Sequence, residues 1–191
     1  MEFERISQQF GFNVLESPFT TDSGANIKCA LKNGLWQPCF DHRLHTVISC
    51  AWNKTLEDDL EIKLTYEKMM KVRAYFKQSS DKESCLQTKL LSDNTTRPWC
   101  GLANFFSAYL SSFDGIEQII PERIDAPSNK SLIKKISEAF TGLTPIFKAM
   151  EAANVPTLHL VIVSFVEIMR KIEKWPLKLE NLKMNVKQCN F

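Results

Sequence analysis

Three short runs of this chain carry side chains that could do chemistry. In the first, Pro18-Phe19-Thr20-Thr21-Asp22-Ser23-Gly24-Ala25-Asn26, a carboxylate follows residues suited to a pleated backbone, because aromatic and β-branched side chains pack well there. A carboxylate at the C-terminal end of a strand stands where open α/β sheets place ligands, and Asp22 could hold a divalent cation there. The structural alternative is a cap. Gly24 eases a turn, and Asp22 or Ser23 could accept the free N–H groups of a helix over Ala25 to Lys32.

The second run is Cys39-Phe40-Asp41-His42-Arg43-Leu44-His45, with Cys50 close behind. Thiolate and imidazole are zinc ligands, and positions three apart on a helix share a face, so Cys39 and His42 could converge. A structural zinc site draws ligand pairs from separate segments, so this crowded run also reads as a half-buried Cys and His fixing a strand-helix corner. The third run is Asp93-Asn94-Thr95-Thr96-Arg97-Pro98-Trp99. An Arg beside an aromatic can clamp a phosphate and stack on an unpaired base. The plain reading is a polar loop whose Trp99 starts a helix and packs on a core. Arg170, Lys171, Lys174, Lys178, Lys183 and Lys187 outnumber Glu173 and Glu180 near the C-terminus. They read as a solvated face first and as a phosphate-contacting strip second.

Elements must position these groups. Phe3, Ile6 and Phe10 mark an amphipathic helix over 2–10 that Gly11 stops. The strand at Phe19–Thr21 and its helix are followed by an Asn33-Gly34 break. A second strand is expected over Leu35–Cys39 and a helix over Asp41–Trp52 with Leu44, Val47, Ile48 and Ala51 inward. This alternation is that of a parallel α/β unit. From Leu56 the period becomes helical throughout. Helices are expected over 59–77, more weakly over 84–91, and over 99–113 with Leu102, Phe105, Phe106, Tyr109 and Phe113. Pro121–Pro127 reads as a linker. Residues 129–151 form a helix kinked at Pro145. Pro156 opens a helix carrying Leu158, Ile162, Phe165, Met169 and Ile172, which Pro176 ends or kinks. Leu177–Phe191 is marginal and expected to fray.

Bulk properties exclude some classes. The 191 residues are 44% hydrophobic and 24% charged with a net charge of +2, an ordinary globular composition without a global field for nucleic acid or membrane. The N-terminus lacks the pattern of a signal peptide, and no apolar run reaches bilayer length, so no membrane partner is expected. The six cysteines are therefore expected as free thiols in a reducing compartment. The glycosylation-type triplets at Asn53, Asn94 and Asn129 read as chance.

Taken in order, these runs resemble the hAT superfamily of DNA transposases and the domesticated BED-type zinc-finger proteins derived from them. Thr20-Thr21-Asp22-Ser23-Gly24-Ala25-Asn26 looks like the family's T-D-N-x-x-N segment. Cys39-Phe40-Asp41-His42-Arg43-Leu44 looks like its C-x-x-H-x-L segment, and Asp93-Asn94-Thr95-Thr96-Arg97-Pro98-Trp99 its D-x-x-T-R-W segment. The stretch from 129 through Val155-Pro156-Thr157-Leu158 is similar to its "T…PTLS" region. The resemblance covers nearly the whole chain.

It implies a fold that is α/β leading to mostly α: a partial RNase H-like core over residues 1–56 and a helical insertion-like region over 57–191. In the intact family two aspartates and a distant glutamate hold two Mg²⁺-type ions for strand cleavage and transfer. Asp22 matches the second aspartate, Cys39 and His42 the pair near the active site, and Arg97 and Trp99 the pair that handles a flipped base. The first aspartate is expected upstream of this chain's start and the glutamate beyond the helical insertion. Glu151, Glu167 and Glu173 do not match that glutamate. Ser23 stands where the family usually has Asn, and Pro98 separates Arg97 from Trp99.

One carboxylate cannot hold two metals, so Asp22 is expected to be vestigial, with no metal bound and no catalysis. The expectation is a nuclear, transposase-derived remnant that binds DNA, a protein or a second copy of itself. Other classes are a helical protein-interaction module with no DNA role and a metal-dependent nuclease completed by another chain. An in-frame strand ending in Asp upstream of Met1 would mark the sequence as a fragment of a longer reading frame.

Overall fold

The computed structural model describes residues 2–11, 13, 16, 18–21, 24–78, 98–150 and 160–189, with the backbone alone at 2–4, 18 and 98–100. It divides into two compact units, Met1–Thr46 and Val47–Asn190.

In the first unit, helix α1 (Glu2–Gln9) ends before Gly11, whose φ of +75° is the left-handed conformation that glycine adopts without strain. Strand β1 (Pro18–Thr21) and strand β2 (Leu35–Pro38) pair in parallel, with Phe19 opposite Trp36 and Thr20 opposite Gln37. Parallel strands need a crossover, and the short helix α2 (Ala25–Ala30) supplies it. The cap of α2 falls on Gly24, with no side-chain cap bond. Asp22 and Ser23, read from the sequence as possible caps, lie outside the described residues. Proline sits at the first position of β1 and the last of β2, where its missing N–H disturbs a ladder least.

Helix α3 (Phe40–Asp58) starts in the first unit and continues into the second. It runs past the Trp52 expected as its end. Nothing in the Asn53–Asp58 stretch breaks a helix, and Thr55 is fully buried with its hydroxyl donating to the Ala51 carbonyl at 2.7 Å. Asp59 then breaks the chain with an extended backbone (φ −123°, ψ 99°) and caps α4 (Leu60–Lys77) by accepting the Ile62 N–H at 3.0 Å.

The remainder of the second unit is helical: α5 (Pro98–Ser111), α6 (Phe113–Ile119), α7 (Lys130–Met150), α8 (Val161–Glu173), a 3₁₀ turn (Leu177–Leu179) and α9 (Glu180–Gln188). Pro98 opens α5, where a proline N–H would be unpaired anyway. The helix expected to reach Phe113 instead stops at Ser111, and Phe113 opens α6. Residues 121–129 form no regular element, as the Pro-rich sequence predicts. Asn129 caps α7 by accepting the Leu132 N–H at 2.9 Å. Helix α7 continues through the exposed Pro145.

Helix α7 lies against both α5 and α8. Its Ile133, Ile136, Phe140, Leu143 and Phe147 recur every three or four residues and are all buried, the stripe that a core-facing helix requires. An aromatic nest holds the centre. Trp52 meets Tyr66, Phe106 and Phe140 edge-on, with centroids 5.3, 5.6 and 5.4 Å away, the geometry that aromatic quadrupoles favour. Burial pushes the Tyr109 phenol well above its ordinary range, and the Glu117 charge adds to it.

The C-terminal stretch does not fray along most of its length. Leu179, Leu182 and Val186 are fully buried. Asn185, also buried, donates to Thr55 Oγ1 at 3.1 Å and Asp58 Oδ2 at 3.3 Å. Sequence reading took this stretch as marginal and missed that α3 and α4 supply its polar partners. The weak helix expected over 84–91 and the Pro156 helix start lie outside the described residues, and α8 begins at Val161.

Candidate functional site

The sequence places its chemistry at the C-terminal end of the two strands. Thr21 ends β1, and its carbonyl accepts the Cys39 N–H at 2.6 Å, so the two strand ends are level. The Thr21 hydroxyl accepts the Trp36 indole N–H at 2.9 Å. Lys28 of α2 stands 5.6 Å from the centre of the same indole, within cation–π reach. Asp22, the next residue in sequence, lies outside the described residues, as does Arg97. The backbone of Trp99 is described in the first turn of α5, and its side chain is not.

Cys39 is half-buried, and its carbonyl accepts the Arg43 N–H at 3.1 Å, which starts α3. His42 is exposed in the first turn, with its carbonyl accepting the Thr46 hydroxyl at 3.0 Å. His45 is buried, and its Nε2 lies 3.7 Å from Asp41 Oδ2 one turn back. Cys50 is exposed. A helix turns these positions to different sides. Among the described residues no three His, Cys, Asp or Glu side chains gather as a metal would need. Cys39 stands half-buried between β2 and α3, whereas His42 is exposed. The Asp41–His45 pair is the contact that sequence reading passed over, and its i,i+4 spacing was the available signal.

The C-terminal cations form a second candidate surface, in the second unit. Arg170 forks onto Glu167 with bonds of 2.9 and 3.1 Å, and Lys171 approaches the same carboxylate. Lys178 pairs with Glu61, while Lys183 and Lys187 both pair with Glu173. The Arg170 hydrogen bond holds Glu167 below the ordinary carboxylate range, and the Lys187 and Lys183 bonds do the same for Glu173. A phosphate would have to displace these carboxylates, so the strip is a mixed-sign face more than a basic one. Counting charges along the sequence missed Glu61, which comes from a distant helix. Among the described residues no helix is long and apolar enough to cross a membrane.

No protein-family model matches the sequence. The chain is 28% identical over 175 residues to the transposable element Hobo transposase of Drosophila melanogaster, across 91% of this chain and 26% of the transposase. It thus spans about a quarter of that relative's length. A distant match running along nearly the entire chain supports a hAT-like transposase relationship.

Proposed function

We propose that the chain is a transposase-derived scaffold that binds DNA without cutting it, and that it works in the nucleus. The similarity to the Hobo transposase carries the transposase part of this reading. The absence of cutting is the part of this reading that a Mg²⁺-dependent cleavage assay tests. The partial RNase H-like core and a domesticated history belong to the same proposal. Helix α5 begins at Pro98, and the proposal assigns Arg97, the preceding residue in sequence, and Trp99 to an unpaired base. With most of the C-terminal cations paired to carboxylates, DNA contact falls chiefly to Arg97 and Trp99.

Filter binding of a single-stranded oligonucleotide over a range of salt concentrations tests this. Affinity should fall as salt rises, since phosphate contacts release counterions. Trp99→Ala should weaken binding by about 1–3 kcal/mol, the worth of one stacked base. Affinity indifferent to salt and to Trp99→Ala contradicts the proposal.

One observation favours a second reading, a helical protein-interaction module. Ile162, Val163 and Val166 of α8 are 76%, 65% and 58% exposed on one helix, an apolar surface of the kind that marks partner sites. Under that reading Trp99→Ala leaves oligonucleotide binding unchanged.

A further inference from the structure

We propose that Cys50 and Cys189 form a reversible dithiol–disulfide pair whose oxidation fastens the end of α9 to α3. This inference is independent of the DNA-binding reading. Both residues are free thiols; Cys50 is exposed and Cys189 half-buried. Three side-chain bonds fix how the two helices run past each other. Asn185 donates to Thr55 and Asp58, and Lys54 Nζ donates to Gln188 Oε1 at 2.8 Å. Advancing along α9 therefore means moving back along α3. Cys189 is the next residue after Gln188, and Cys50 lies one turn before Lys54 on the same face. The thiols are electrostatic neighbours as well. Burial raises Cys189 above the usual thiol range, the adjacent Cys50 raises it further, and Lys54 lowers it.

The reaction is thiol–disulfide exchange with a small disulfide such as oxidised glutathione. Exposed Cys50 reacts first. Its thiolate attacks one glutathione sulfur, the glutathione sulfur–sulfur bond breaks, and one glutathione thiolate leaves. Cys189, as thiolate, then attacks the Cys50 sulfur and expels the second glutathione. Two protein thiols give up two electrons, the oxidant becomes two thiols, and the two protons end on those thiols. Because burial disfavours the Cys189 thiolate, ring closure should quicken as pH rises. The closed link spans most of the second unit, and constraining so long a loop in the unfolded chain favours the folded state.

The test incubates the full chain with oxidised glutathione, blocks residual thiols, and maps peptides by mass. The expected product has lost two hydrogens and joins the Cys50 and Cys189 peptides. Its thermal midpoint rises by about 5 °C or more and returns on adding reductant. Cys189→Ser should stop at a glutathione adduct on Cys50. A stable glutathione adduct on Cys50 of the unsubstituted chain, or disulfides joining other cysteines in place of this pair, overturns the proposal. The mapping is done on the unsubstituted chain, so a variant that folds poorly does not remove the test.

Discussion

The two units of this chain hold themselves together by different means. Among the described residues of Met1–Thr46, the buried apolar side chains are Leu31 and Leu44, and the two strands are short and parallel. Parallel sheets ordinarily bury both faces, yet Leu35 of β2 is 57% exposed and Phe10, just past α1, is 77% exposed. Val47–Asn190 has the opposite character, with a continuous apolar stripe on α7 and an aromatic nest around Trp52. A hydrophobic core stabilises in proportion to the apolar area it removes from water. The helical unit therefore carries most of the stability, and the strand unit carries the residues that resemble a catalytic centre.

Hydrogen exchange should show the widest gap. Amides of β1 and β2 should exchange at least about 100-fold faster than those in the middle of α7, because local opening of the strand unit exposes little apolar surface. Equal protection would break the comparison. Next in size is Phe140→Ala, which removes a fully buried ring that packs on Trp52 and Phe106. It should cost about 3–5 kcal/mol in denaturant unfolding. Asn185→Ala should cost about 1–3 kcal/mol by deleting the bonds to Thr55 and Asp58. Trp36→Phe deletes the indole bond to Thr21. It should cost about 1 kcal/mol, visible as faster strand-unit exchange with the α7 protection unchanged.

The smallest effect expected is a dependence on pH. Lys187 and Lys183 hold Glu173 below the ordinary carboxylate range. A carboxyl with a depressed folded-state pKa adds stability that is fully present above its unfolded value. That stability is lost as pH falls through the folded value. Protection factors in α9, measured against the intrinsic exchange rate at each pH, should therefore fall in acid below the usual glutamate range, and Glu173→Gln should flatten that response. Glu173 is well solvated, so the effect is small and fades in salt.

Much of the helical unit was legible in the sequence, because a stripe such as Leu132, Ile136 and Leu143 repeats with the helix itself. Gly11, Asn33-Gly34 and Pro176 likewise mark breaks by local chemistry. The strand pairing followed from alternation around a short helix. Less legible were features settled by distant partners. Leu177–Gln188 looks marginal alone and becomes ordered through Thr55, Asp58 and the buried Leu179 and Leu182. The cation run looks basic alone, while Glu61 and Glu167 turn it into a mixed-sign face. At the candidate site, the place of Cys39 and His42 between β2 and α3 was legible, while the exposure of His42 was not. The pairing of Asp41 with His45 was visible only as a spacing.

Incubating the purified chain with a labelled oligonucleotide and Mg²⁺ tests the central proposal most directly, with Asp22→Asn run alongside. The account expects both proteins to retain salt-sensitive binding and neither to cut. Magnesium-dependent cleavage by the unsubstituted chain that disappears in Asp22→Asn would contradict it.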